Sequence, residues 1–285
     1  MPTLDPEKLN AYRQETFRTR PGLGVHSKEE AIEYVKQRGF VFFWPIKDIA
    51  LPSLWGAVAG DRPVADAHDD PGHATWGWKD EMLGKRAWYY GKVLRKKATM
   101  ISFEIAPYFY ALSENYGSPE EDYLTIYEQG RLTLEAKLVY EALLDKGPLD
   151  TIALRKAARM TSQESDSRFN KALTDLQADF KIVPTGVAQV GAWNYAFFYE
   201  ITARQYPELL DLARPISERQ ARLKLAELYF ASVGAARRNE LAKLFGWRPP
   251  QIETVLSILV GAGSLQSGFE LAGKTGEWFA IPAVI

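Results

Sequence analysis

Between residues 68 and 73 the chain reads HDDPGH, which sets His68, Asp69, Asp70 and His73 close together, with Asp80 and Glu81 not far beyond. Imidazole beside carboxylate suits general acid–base work or the holding of a divalent cation. The spacing matches no established metal motif, and Pro71–Gly72 bends the chain between the histidines, so no metal is expected. On the chemical reading the catalytic candidates are Asp69, Asp70 and His73. A structural reading stands beside it: the aspartates brace a turn while His68 and His73 bond to backbone. Trp76 and Trp78 flank Gly77 just downstream, placed either to stack on a displaced base or to close a core.

A second cluster is cationic. KRAWYYGKVLRKK carries Lys85, Arg86, Lys92, Arg95, Lys96 and Lys97 with no acid among them and with Trp88, Tyr89 and Tyr90 interleaved. Lys92, Arg95 and Lys96 are candidates for phosphate contact; the alternative is a solvated helix whose aromatics pack inward. The whole chain has a formal net charge of −1, so phosphate binding here depends on local placement rather than bulk charge.

These residues need a frame. SKEEAIEYVKQRG reads as a helix, with Ser27 and Glu30 as a capping box and Gly39 as its stop. FVFFWPI reads as a buried strand or core segment, closed by Pro45. Residues 60–80 are rich in turn formers and read as a long ordered loop, and GSPEEDY at 117–123 reads as a linker.

Beyond the linker one order appears twice, over Arg131–Tyr206 and Ser217–Pro282: helix, short extended stretch, helix, helix, two-stranded hairpin. That is the order of a winged helix-turn-helix, which lays a helix into a DNA groove. In the first copy, Leu134, Leu138 and Ala142 of LTLEAKLVYEALLDKG form the expected buried face, with Val139 and Leu143 beside them. Asp150 is placed to cap TIALRKAARM. SDSRFNKALTDLQADF carries the stripe Phe169, Ala172, Leu173, Leu176 and Phe180. KIVPTGVAQ and WNYAFFYEI are the expected wing strands. In the second copy, Ser217 and Gln220 cap ERQARLKLAELYFASVG, RRNELAKLFG follows, and RPPQIETVLSILVGAG precedes a hairpin whose GKTG tip carries Lys274. The expected fold class is mainly α with small β-hairpin wings (α+β). The expected domains are 1–127, with the HDDPGH loop, 128–206 and 207–285.

The nucleic-acid candidates of the first copy are Arg155, Lys156, Arg159, Arg168 and Lys171. Those of the second are Arg237, Arg238, Arg248 and Lys274. The third helix of the second copy is nearly bare of charge, which fits a packing element better than a base reader. Other chemistries are excluded by absence. The chain has no cysteine, so disulfides, thiolate catalysis and sulfur-ligated zinc are ruled out. No nucleophile elbow, phosphate-binding loop or dinucleotide fingerprint occurs, so no nucleotide cofactor is expected. No apolar run approaches the roughly 20 residues that cross a bilayer, and the charged N-terminus leads us to expect no membrane association and a cytoplasmic location.

The segments VKQRGFVFFWPIKDIALPSLW, TWGWKDEMLGKRAWYYGKVLRKK and EQGRLTLEAKLVYEALLDKGPLDTIALRKAA together resemble the AlkZ/YcaQ type of DNA glycosylase. The resemblance implies tandem winged helices forming a concave DNA-binding surface and excision of N-alkylated purines, some members unhooking interstrand crosslinks. It implies double-stranded DNA as partner, alkylated or damaged duplex included, and no cofactor. The family's Gln-x-Asp or Gln-x-Gln signature aligns with Phe42 and Trp44, neither of which can polarise water. Two outcomes are compatible with this. The catalytic group has moved, with Asp48, Asp69 or Asp70 as substitutes, in a monofunctional glycosylase. Otherwise the chain is a non-catalytic relative, a winged-helix reader of duplex DNA like a transcription factor or a protein-interaction scaffold.

Overall fold

The computed structural model describes residues 2–191 and 194–285. The fold is α+β, helices with small sheets, and its contacts form two compact units: Met1–Gly77 with Met100–Ser102 and Glu218–Ile285, and Trp78–Thr99 with Phe103–Ser217. This grouping differs from three consecutive segments because the N-terminus builds onto the C-terminal module. Thr3–Leu4 pairs in parallel with Gln266–Leu271, giving the spatial strand order 3–4, 266–271, 274–280, 235–236. Helix Pro6–Thr16 follows, capped by Asp5, whose side chain accepts from the Glu7 amide. Its Arg13 donates to the carbonyls of Val233 and Ala235, both at 2.9 Å, and so satisfies groups at the end of helix Glu218–Val233. Leu4 and Leu9 join Phe269, Trp278 and Val284 in one buried cluster. Strand and helix both escaped the sequence reading: a two-residue strand has no period, and Pro6–Thr16 buries only Leu9.

Helix Lys28–Arg38 is capped as expected. The Ser27 hydroxyl accepts from the Glu30 amide at 3.1 Å, and Gly39 ends the helix at φ 79°. Phe40–Phe42 is a short strand of wholly buried residues, followed by buried Phe43. The Phe42 amide donates to the Pro52 carbonyl and the Trp55 amide to the Phe43 carbonyl, which ties this strand to helix Leu54–Ala59. Residues 60–70 are loop, but the expected loop over 60–80 ends early. A 3-10 turn at Pro71–His73 runs into helix Ala74–Met82, because Asp70 caps the turn and Pro71 pre-sets its first residue.

The second unit holds the first copy of the repeated order: helix Leu134–Lys146, strand Leu149–Asp150, helix Thr151–Ala157, helix Asp166–Ala178 and the hairpin Ile182–Ala188 with Ala196–Ile201. The sheet is antiparallel, with Ala196–Ile201 in the centre and a bulge between Pro184 and Gly186. Of the expected wing strand over 193–201, Trp193 lies outside the described residues. Asp150 caps Thr151–Ala157 by accepting from the amides of Ile152 and Ala153 at 2.9 and 3.0 Å. The stripe Phe169, Ala172, Leu173, Leu176 and Phe180 is buried throughout. On helix Leu134–Lys146 the buried face agrees with the expected one only in part. The expected Val139, Ala142 and Leu143 are buried and are joined by Ala136 and Tyr140, while Leu138 is only partly buried and Leu134 is 52% exposed because it is the first residue after the Thr133 cap.

Two further segments differ from expectation. Residues 117–123 are not a linker: helix Pro119–Glu128 begins there, with Pro119 in its first turn and Glu120, Glu121 and Asp122 complementing the positive end of its dipole. The basic run 85–97 is not a helix. It forms strand Tyr89–Gly91 and a 3-10 turn at Leu94–Lys96, with Arg95 and Lys96 in left-handed backbone at φ 54° and 56°. Its aromatics do pack inward, with Trp88 and Tyr89 buried. The second copy of the order runs helix Glu218–Val233, strand Ala235–Ala236, helix Arg238–Phe245, helix Pro249–Gly261, then strands Gln266–Leu271 and Lys274–Ala280.

Candidate nucleic-acid interface and the HDDPGH loop

The four residues of the HDDPGH segment have separate fates. Asp70 is committed to the fold: its Oδ1 accepts from the Gly72 amide at 2.8 Å and from Arg62 at 2.6 Å. The Arg62 hydrogen bond first, and the Gly72 amide second, hold its carboxyl below the ordinary aspartate value. The His73 imidazole lies 3.0 Å from the Ala65 carbonyl through Nε2. The turn therefore closes residues 62–73 into a clasp. Asp69 and His68 are exposed on it, and the Asp69 carboxylate makes no hydrogen bond to a described residue.

Beneath the clasp sits an aromatic cluster. Trp44, at the second of the two signature positions, has ring centroids 5.1 Å from Trp55, 5.9 Å from Trp76 and 6.1 Å from His73. His73 is also 5.1 Å from Trp55, and the Arg62 guanidinium lies 5.2 Å from the Trp55 ring centroid. Trp55 is fully buried, Trp44 half-buried and Trp76 40% exposed. Phe42, at the first signature position, is fully buried. The place where the family signature aligns is thus apolar; Asp48, the carboxylate nearest to it in sequence, is exposed and makes no side-chain hydrogen bond to a described residue. Among the described residues, no group of three or more His, Cys, Asp or Glu could hold a metal ion.

Of the four cationic candidates of the C-terminal module, Arg237 and Arg238 are paired within the chain, while Arg248 is exposed and pairs with no described acid. Arg238 donates to Glu277 and, at 2.6 Å, to Glu253; these two carboxylates, Glu277 foremost, raise its pKa. Arg237 donates to the Thr275 carbonyl at 2.8 Å and pairs with Glu240 at 3.3 Å. Lys274 is exposed where Gly273 turns the hairpin, without an ion pair to a described residue. On helix Pro249–Gly261 the four residues Ile252, Val255, Leu256 and Leu259 are buried.

In the second unit the candidates divide. Arg155 is a structural staple: it donates to the carbonyls of Met160 and Ser162 and pairs with Asp166. Arg168 pairs with Glu135, and Lys171 and Lys96 share Asp175. These pairs lie at the surface, where an ion pair contributes only about 0–1 kcal/mol and yields readily to phosphate. Lys92 reaches the Thr174 hydroxyl at 3.3 Å. Arg95, Lys97, Lys156 and Arg159 are exposed and pair with no described acid. Arg159 follows the C-cap of Thr151–Ala157 in left-handed backbone at φ 57°.

One polar centre was missed by sequence reasoning. Lys79 is fully buried, with Nζ 2.7 Å from Asp80 and 2.9 Å from the Tyr195 hydroxyl, which itself donates to Asp80 at 2.9 Å. Phe197, Tyr90 and Tyr195 surround the ammonium with centroids at 4.6, 5.5 and 5.6 Å. Burial lowers the Lys79 pKa against the opposing pull of Asp80. The local signal is only a lysine between Trp78 and Asp80, and the partner Tyr195 is 116 residues away.

Among the described residues, no helix is long and apolar enough to cross a membrane. The model of the AlkZ-related family matches residues 25–246. No curated protein matches this chain. Among solved structures, the Streptomyces sahachiroi DNA glycosylase AlkZ superposes with a TM-score of 0.61 at 12% identity, over 98% of this chain and 70% of that one. The structural likeness speaks to the fold, while the family model covers most of the chain, and together they place this protein in the AlkZ-related family.

Proposed function

We propose that the protein binds double-stranded DNA through winged helix-turn-helix modules, with residues 128–206 as the phosphate-contacting one. The observation that carries this reading is the twice-repeated order of helix, short strand, helix, helix and hairpin. In the first copy it comes with exposed, acid-free cations at Lys156 and Arg159. Arg95 and Lys97 are further exposed cations of the same unit, at a turn that packs on helix Asp166–Ala178. The second module serves as a packing element, since both of its hairpin-side arginines are paired within the chain.

Excision of N-alkylated purines is the second reading, and one observation favours it. Asp69 keeps an exposed carboxylate while Asp70 and His73 hold the loop that presents it. In that reading Asp69 aligns the attacking water. The leaving purine is already cationic, so one carboxylate can stabilise the oxocarbenium-like sugar.

The two readings separate in one experiment. Retardation of plain duplex that weakens steeply with added salt supports DNA binding; salt-independent or absent retardation contradicts it. Abasic sites formed on duplex carrying 7-methylguanine, and lost in Asp69→Asn with binding intact, support excision. Duplex binding without abasic sites leaves a DNA-binding protein that performs no chemistry.

A further inference from the structure

Within the second unit a cleft of about 430 Å³ opens between helix Asp166–Ala178, strand Tyr89–Gly91 and the hairpin Ile182–Ala188 with Ala196–Ile201. That volume lies in the range of pockets that enclose small ligands. Its walls are rings: Tyr90 lies 6.2 Å from Phe197, and Phe197 lies 5.5 Å from Tyr195 and 6.1 Å from Tyr199. Its polar groups include the Lys92 ammonium and the Asn170 amide, and no described lining residue carries a carboxylate.

Three observations narrow the occupant. Tyr90, Tyr195, Phe197 and Tyr199 all line the cleft, and aromatic side chains stack heteroaromatic bases with little regard to sequence. The cation-binding capacity of Phe197, Tyr90 and Tyr195 is already used by Lys79, whose Nζ lies 4.6–5.6 Å from their centroids. A cationic ligand is therefore disfavoured, and a neutral ring is preferred. The Asn170 amide makes no side-chain hydrogen bond to a described residue, so both its donor and its acceptor remain for a base edge, while Lys92 supplies positive charge for a phosphate.

The geometry points to a site for a single unstacked nucleotide: an uncharged base against the aromatic wall, its edge on Asn170 and its phosphate at Lys92. The inference rests on the DNA-binding reading for the source of that nucleotide, a strand interrupted by a bulge or an unpaired base, but not for the chemistry of the cleft. It makes the cleft a reader of local unpairing, separate from the HDDPGH loop.

The probe is 2-aminopurine, whose fluorescence falls on stacking. It is supplied to the full chain in three forms: as an unpaired bulge in a duplex, as a paired base in the same duplex, and as the free deoxynucleoside monophosphate. The bulged duplex is expected to bind about tenfold more tightly than the paired one, with quenching on binding. Asn170→Leu and Phe197→Leu should abolish that preference, so that bulged and paired duplexes bind alike. Asn170 is exposed on its helix, so its variant keeps the test valid if Phe197→Leu fails to fold. Equal affinity for both duplexes, or a preference that survives in Asn170→Leu, overturns the assignment. Quenching of the free nucleotide without binding of either duplex supports the cleft and overturns the DNA-binding reading instead.

Discussion

The clasp over Trp55 offers a matched pair of substitutions five residues apart. A Cβ added at Gly72 would meet Trp55 at 2.7 Å from Cη2 and 2.8 Å from Cζ3, and Asp70 at 3.0 Å from Oδ1. Carbon atoms rest at about 3.5–4.0 Å, so the overlap in Gly72→Ala is about 1 Å. Trp55 is fully buried between Trp44 and His73, each centred 5.1 Å away, so its ring has little room to retreat. The turn must move, and with it the Asp70–Arg62 and His73–Ala65 contacts. Overpacking of this kind costs about 1–3 kcal/mol. Gly77, on helix Ala74–Met82, has nothing within 4 Å of its added Cβ, so Gly77→Ala should stabilise by about 0.5–1 kcal/mol through helix propensity alone. The assay is urea unfolding of the full chain followed by near-ultraviolet circular dichroism, where Trp44, Trp55 and Trp76 report on the cluster. Gly72→Ala should lower the midpoint and change the folded-state tryptophan signal; Gly77→Ala should raise the midpoint and leave the signal alone. A Gly72→Ala protein as stable as its parent, with an unaltered spectrum, refutes the tight seating of the turn on Trp55.

Other perturbations test other parts of the structure. Lys79→Ala strands Asp80 and opens a void, and should cost about 3–5 kcal/mol, the range for breaking a buried pair; Lys79→Met fills the void and should cost less, as ranked by thermal unfolding. Because burial lowers the folded pKa of Lys79, the unfolded chain holds a proton that the folded chain has shed. Stability should therefore rise with pH just below the ordinary lysine value of about 10.4, and Lys79→Met should abolish that slope in urea titrations. The opposite sign applies to Asp70. Arg62 first, and the Gly72 amide second, lower its folded pKa, so its contribution is present above about pH 4 and is lost as pH falls, and the acid limb of the unfolding curve should flatten in Arg62→Gln. Arg13→Met leaves the Val233 and Ala235 carbonyls without their charged donor, and charged hydrogen bonds contribute about 1.5–3 kcal/mol; hydrogen exchange should rise first around residues 233–236, and unchanged protection there contradicts the capping role.

Legibility in the sequence followed the strength of local signals. Stripes of long period were read correctly, as Phe169 to Phe180 show, and so were caps whose side-chain oxygen accepts from an amide three residues ahead, as Ser27 and Asp150 show. Where helix ends dominate, the pattern misled: Leu134 has the right spacing for the core but sits in the first turn, where no preceding helical turn covers it. GSPEEDY looks like a linker in composition, yet serine, proline and acids are also what a helix start requires. The strand Thr3–Leu4 and the Lys79–Tyr195 pair depend on partners more than 100 residues away, which no local window contains. At the candidate site the HDDPGH spacing was visible, but which aspartate was spent on the turn depended on Arg62, eight residues upstream of Asp70. The cations were visible as well. The pairing of Lys96, Arg155 and Arg238 was not, because Asp175, Asp166, Glu253 and Glu277 lie on other helices or strands or across a loop.

The most direct test of DNA binding through the first module is fluorescence anisotropy of a labelled duplex across a salt series, for the parent chain and for Lys156→Gln/Arg159→Gln. Each phosphate contact adds about −0.9 to the slope of log K against log salt, so the double variant should flatten that slope by about 1.8 at unchanged stability. An identical slope in parent and variant, or no binding at low salt, contradicts the account.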